Sequence, residues 1–271
     1  MIGRMSSDQI HQSGLDVILD AQKKLSRTQE ELASGKRLLT PADDPVATAQ
    51  IQSIRSELSR IETMQSNISR ASSELAMVED SVANVEGLLM RARELAVRGA
   101  NDSLSLQDRE IIATEIDALR EQLIAAANTQ SSDGDYIYAG YAVSAAPYTD
   151  ATVNATYAGD TGVRAINIAP GLTVNTRFAG EAVFGQGSAA TGQLNAFEAL
   201  AVLSAGLRGN ASAAITSLTN NGNAVTQDEA INISMQALDT NLETVRSVRT
   251  QLGVRMNRVD DQQALNANFN V

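Results

Sequence analysis

The sequence predicts a mainly α chain with a β-rich insert: a long coiled-coil-like helical bundle carrying one small β domain. Two apolar stripes of helical period, over residues 46–98 and 227–265, run without a single aromatic or proline. Between them the chain changes character. All five tyrosines fall from Tyr136 to Tyr157, followed by Phe178, Phe184 and Phe197, and nine of the 18 glycines lie between Gly134 and Gly192. A helix rises about 1.5 Å per residue, so the first stripe is a rod on the order of 80 Å long, more than one compact domain needs.

The first forty residues form a separate case. His11, Ile18, Leu25 and Leu32 recur every seven residues, but the companion positions Leu15, Gln22 and Gln29 are largely polar. Such a narrow edge is marginal alone in water, so residues 1–43 are expected to order only when a partner covers Leu15, Ile18, Leu25 and Leu32. The linker LASGKRLLTPADDPVATAQ follows. Gly35 can end the first helix, Pro41 and Pro45 forbid a continuous one, and Asp43 or Asp44 is placed to cap the next, with Pro45 in its first turn.

In the first long stripe Ala47, Ile51, Ile54, Leu58, Ile61 and Ile68 follow spacings of four and three, with Gln65 in the one polar slot. One insertion then shifts the phase, and Ala71, Leu75, Val78, Val82, Val85, Leu89, Ala92 and Ala96 continue the seam as after a stutter. Ser105 and Asp108 begin a shorter helix that carries Ile112, Ile116, Leu119, Leu123 and Ala126 on one face. Thr226 and Glu229 form a capping box for the last stripe, Ile231, Met235, Leu238, Leu242, Val245, Leu252, Met256 and Val259, in which only Arg249 is out of character. Residues 44–135 and 193–265 are therefore expected to close one antiparallel bundle. Its core is expected at Ile51, Ile54, Leu58, Ile61, Leu75, Val82, Leu89, Leu119, Leu238, Leu242, Val245 and Leu252.

Residues 136–192 read as the β-rich outer domain, because short β-branched or alternating runs (YIYAGY, VRAINIA, LTVNTRF) are separated by glycine-bearing turns. So small a module buries a modest core and is expected to lean on the bundle, which should survive replacement of residues 142–190 by a flexible linker. Residues 193–207 form a short helix, 208–225 a loop, and 266–271 the start of a further helical region.

The formal net charge of −11 argues against nucleic acid and anionic membrane as partners. All lysines (Lys23, Lys24, Lys36) precede residue 37, and every later cation is arginine. Cysteine is absent, which excludes disulfides and thiolate metal sites. No apolar run spans a bilayer, and Leu15 to Leu19 is broken by Asp16, so no signal peptide is expected and export would need a dedicated machine. Catalytic readings fail. Ser34-Gly35-Lys36-Arg37 has Glu30 where a phosphate loop needs glycine; His11 is the only histidine; Asp43 and Asp44 before a proline read as a cap; Asp133 and Asp135 read as a turn. No catalytic, metal or cofactor-binding residue is nominated, and packing of a β core explains the tyrosines.

Three segments carry a resemblance. LASGKRLLTPADDPVATAQ resembles the signature after the first helix of bacterial flagellins, RELAVRGANDSLSLQDREIIATEIDALREQL their helical hairpin, and SVRTQLGVRMNRVD their carboxy-terminal counterpart. The DDPV form of the linker, YIYAGY, ATYAGD and FAGEAVFG look more like the branch that joins hook to filament than like filament flagellin. The resemblance implies a non-enzymatic, secreted subunit of the flagellum, exported by the flagellar type III system, whose terminal helices line an inner tube while the β insert faces outward. Implied partners are hook-associated protein 1 on the hook side, flagellin on the filament side, copies of the chain in a ring, and an export chaperone on the carboxy-terminal region. The alternatives are a short filament flagellin and, in another class, a coiled-coil binding or signalling module, which would not need an aromatic insert. Members of the family continue past the position of Val271 with a helix that pairs with the first one. The sequence therefore reads as a truncated form that stays monomeric, with Met5 an alternative native start.

Overall fold

The computed structural model describes residues 7–38, 40–149, 155–187, 193–209 and 226–269. Its helices are α1 (Ser7–Ser34), α2 (Pro45–Gly99), α3 (Leu106–Ala127), α4 (Gly180–Phe184), α5 (Ala196–Leu207) and α6 (Gln227–Phe269). Four short strands, β1 (Tyr148–Thr149), β2 (Thr156–Tyr157), β3 (Ala165–Ala169) and β4 (Leu172–Asn175), lie between α3 and α4. The expected loop at 208–225 falls almost wholly outside the described residues, as do Met5 and the end of 266–271. The chain divides into two compact units, Met1–Glu62 and Thr63–Val271. The division falls inside α2, whereas the sequence placed the start of the bundle at residue 44.

In the first unit α1 ends at Gly35, whose φ of +64° is left-handed backbone that glycine adopts without penalty. Asp44 then caps α2, its Oδ1 accepting from the Ala47 amide at 3.0 Å, and Pro45 opens the helix where no amide donor is needed. Asp43 accepts from the Thr40 amide at 3.0 Å and pairs with Arg27 at 2.9 Å, which ties α1 to the linker. No described side chain of this unit is buried.

That corrects part of the expected bundle core. Ile54 is 61% and Leu58 48% exposed, Ile51 is exposed as well, and Ile61 is only half-buried. Heptad spacing encodes a capacity to pack lengthwise, and among the described residues nothing is laid on this stretch of the stripe.

In the second unit the seam is covered from Ile68 onward. Ile68, Ala71, Leu75, Val78, Val82, Val85, Leu89, Ala92 and Ala96 of α2 are buried through the stutter, together with Ile112, Ile116, Leu119 and Leu123 of α3 and Leu238, Leu242, Val245, Leu252 and Val259 of α6. α3 and α6 both pack on α5, a helix apolar almost all round and accordingly buried. Gly99 ends α2 directly under Leu207 of α5, where an added Cβ would clash with the leucine. Three capping boxes start helices here: Ser105 with Asp108, Asn195 with Glu198, and Thr226 with Glu229.

Among its described residues the insert holds two small sheets of short strands. β1 pairs antiparallel with β2 (Tyr148 opposite Tyr157), and β3 with β4 through a turn at Gly171, with an irregularity between Asn167 and Ala169. Two separate two-stranded ribbons cannot hold a core of their own. The aromatics supply it jointly with the helices. Tyr138 and Phe184 meet edge to face at 5.2 Å, Phe184 reaches Phe197 of α5 at 5.2 Å, and the Tyr138 hydroxyl donates to Ser81 of α2 at 2.9 Å. The residues expected to lean on the bundle are part of its end.

Candidate assembly surface

Among the described residues no group of three or more His, Cys, Asp or Glu could hold a metal ion, and no helix is long and apolar enough to cross a membrane. The segment likened to a phosphate loop is the end of α1: the Lys36 amide donates to Ser34 Oγ at 3.3 Å in an exposed turn. The exposed features are apolar helix faces.

On α1, Leu15, Ile18, Leu25 and Leu32 are all exposed, Leu32 at 83%. So are Val17 and Leu19, which heptad counting passed over. At about 100° per residue the seven charges from Asp16 to Glu31 (Asp16, Asp20, Lys23, Lys24, Arg27, Glu30, Glu31) occupy only about a third of the circumference. There they pair among themselves, Lys24 with Asp20 at 2.9 Å and Arg27 with Glu31 at 3.1 Å. From Gln12 to Ser34 the rest of the helix carries no Asp, Glu, Lys or Arg, and small residues (Gly14, Ala21, Ser26, Thr28, Ala33) lie among the leucines. The edge is therefore wider than its heptad spacing implied. A face of more than half the circumference, carrying Leu15, Val17, Ile18, Leu19, Leu25 and Leu32 with Gln22 and Gln29 among them, fits contact with two neighbouring helices rather than one.

A second uncovered stripe lies at the start of α2, where Val46, Ile51, Ile54 and Leu58 are exposed. The first unit is close to neutral, with 8 Lys and Arg against 9 Asp and Glu. The second has 13 against 23 and carries nearly all the negative excess. The exposed apolar faces thus sit where electrostatic self-repulsion is weakest. Asp43, Asp44 and Pro45 serve the geometry of the linker, and Leu75, Val82, Leu89, Leu119, Leu238, Leu242, Val245 and Leu252 lie in the core of the second unit rather than on any open surface.

Comparison with known proteins gives these faces a context. Residues 6–143 match the bacterial flagellin N-terminal helical region. Flagellar hook-associated protein 3 of Escherichia coli is 31% identical over 149 residues, covering 54% of this chain and 46% of the relative. A flagellin of Listeria innocua is 29% identical over 201 residues, covering 73% of this chain and 65% of the relative. The crystal structure of flagellar hook-associated protein 3 from Legionella pneumophila superposes with a TM-score of 0.69 at 18% identity, over 81% of this chain and 95% of that one, and shares its fold. The chain spans about half the length of the curated hook-associated relatives it matches. With more than half of its residues matching the flagellin amino-terminal helical region, the chain belongs to the bacterial flagellin family, a family of structural flagellar proteins.

Proposed function

We propose that the chain is a non-enzymatic structural subunit of the bacterial flagellum that joins hook to filament by lengthwise packing of its helices on neighbouring subunits. The observation that carries this is the apolar face of α1, with Leu15, Ile18, Leu25 and Leu32 open to solvent in a molecule whose second unit covers its apolar seam closely. Leaving so many large apolar residues exposed is unfavourable for an isolated molecule and favourable for a subunit that buries them on assembly. The implied neighbours are copies of the same chain in a ring, a hook-associated subunit on one side and flagellin on the other, outside the cell after export.

A short filament flagellin is the competing reading, favoured by the longer alignment with the Listeria flagellin. One complementation experiment separates the two. The gene that contains this sequence, expressed at its full length, should restore swimming in a non-motile strain that lacks its hook–filament junction subunit and fail in one that lacks flagellin. The opposite pattern would make it a filament protein, and rescue of neither would overturn both readings.

A further inference from the structure

Along the line where α2 meets α6 both helices present valine and leucine at heptad-like spacing: Val78, Val82, Val85 and Leu89 on one, Leu238, Leu242, Val245 and Leu252 on the other, all buried. Such residues are nearly interchangeable as partners. Sliding α6 by seven residues, about 10 Å at 1.5 Å per residue, would lay apolar on apolar again. Packing alone leaves the axial alignment weakly specified.

The charges beside the seam differ between alignments. On α2, Glu79, Glu86 and Arg93 follow at intervals of seven. On α6, Asp239 and Arg246 do the same, and Arg249 occupies a stripe position between Val245 and Leu252 that is otherwise apolar. Arg93 pairs with Asp239. Arg246 Nε donates to Glu86 at 3.0 Å, Arg249 Nη1 donates to the other Glu86 oxygen at 2.7 Å, and Arg249 Nε and Nη2 both donate to Glu79, at 3.0 and 2.6 Å. One arginine therefore reads two carboxylates seven residues apart. Glu86 is only 8% exposed. The Arg249 and Arg246 guanidiniums hold its carboxyl below the ordinary range, so it stays charged in place.

Neither slid alignment keeps this pattern. Moved one way, Asp239 comes opposite Glu86, and Arg249 loses a carboxylate to Ser72. Moved the other way, Arg246 and Arg249 both come opposite Arg93. We infer that Glu79, Glu86 and Arg249, with the Arg93–Asp239 pair, form a register key that selects the one axial alignment of α6 on α2 from several that apolar packing accepts. The key is not there for stability. Well-packed apolar residues in place of a buried ion pair are often neutral or stabilising, whereas fixing a register is the best-attested use of such pairs. A competing anchor exists in Asn241, whose Nδ2 donates to the Leu194 carbonyl at 3.2 Å ahead of α5, so the test must show which of the two decides.

The chain has no cysteine, so two can be introduced as the only labelling sites, at the exposed positions Asn84 on α2 and Thr250 on α6, and the distance between spin labels read by pulsed electron resonance. With Glu79→Leu, Glu86→Leu and Arg249→Leu together, helical content should be kept, and a second distance population should appear, from a shift of about 10 Å along the axis. A single native distance in that variant would assign the register to Asn241 and apolar packing and overturn the key. If the triple variant fails to fold, charge reversal decides. Glu79→Arg with Glu86→Arg should abolish the native distance, and adding Arg246→Glu with Arg249→Glu should restore it. A native distance in the half-reversed variant, or none in the fully reversed one, would refute the inference.

Discussion

The rings of Tyr148 and Phe197 stand 4.7 Å apart at 45°, one from β1 and the other from α5. Through this contact and the neighbouring Phe184 the insert and the helices share one core. Replacing residues 142–190 by a flexible linker would remove Tyr148, Tyr157, Phe178 and Phe184 and leave Phe197 uncovered. The shortened chain should therefore unfold with low cooperativity. Phe197→Ala alone should cost about 3–5 kcal/mol. A cooperative transition near the parent's in the shortened chain, followed by circular dichroism, would show that the insert is a separable module.

Leu242 and Leu58 occupy equivalent-looking stripe positions and should behave differently. Leu242 is buried, and aspartate there combines a cavity with an unpaired buried carboxylate, a loss of about 4 kcal/mol or more that approaches the stability of a typical domain. Leu58 is half exposed, so Leu58→Asp should shift the melting temperature of the monomer by no more than about 2 °C. Equal losses in the two variants would place Leu58 in a core.

Limited trypsin digestion should cut first within or just after α1, at Lys36 or Arg37 above all, and leave a resistant product containing the second unit. The basis is that no described side chain up to Glu62 is buried, so these turns open at little free-energy cost. Strong amide-exchange protection from Leu15 to Leu32 in the isolated protein would contradict this.

Glu198 offers a pH test. Its carboxylate accepts the Asn195 amide at 3.0 Å in the capping box of α5, and burial raises its pKa above the ordinary carboxylate value. A raised folded-state value means that the folded protein holds the proton more tightly, so this group's contribution to stability is lost as pH climbs from the unfolded value toward the raised one. Glu198→Gln keeps an acceptor and removes the charge. It should raise the melting temperature at pH 7 and change it little near pH 4. Glu86→Gln should do the reverse, destabilising at neutral pH and converging on the parent as acid protonates Glu86. Equal effects at both pH values would remove titration as the cause.

Much of this was legible in the residues because helical period and capping are local signals. Ser105 with Asp108, Thr226 with Glu229 and the phase shift after Ile68 could be read from spacing alone, since each depends on neighbours three or four positions away. Whether a stripe is covered depends on another segment, and so Ile51, Ile54 and Leu58 looked the same as Leu75 and Val82. The breadth of the α1 face was missed because a heptad count follows apolar residues, and the signal lay in where charges are absent. The shared aromatic core needed the return path from Phe184 to Phe197, which no local pattern carries. Arg249 stood out as the wrong residue in a stripe, but its two partners lie more than 160 positions away.

The placement of lysine has a practical side. Lys23, Lys24 and Lys36 are exposed on α1 and the turn after it, and no other lysine occurs. Every side-chain amine thus belongs to the first unit, while the bundle and insert meet solvent with arginine as their only cation. Acylating reagents that spare guanidinium will attach a dye, a biotin or a bead to the first unit alone, so the second unit can be held through the first with its own surface unmodified and without an engineered tag.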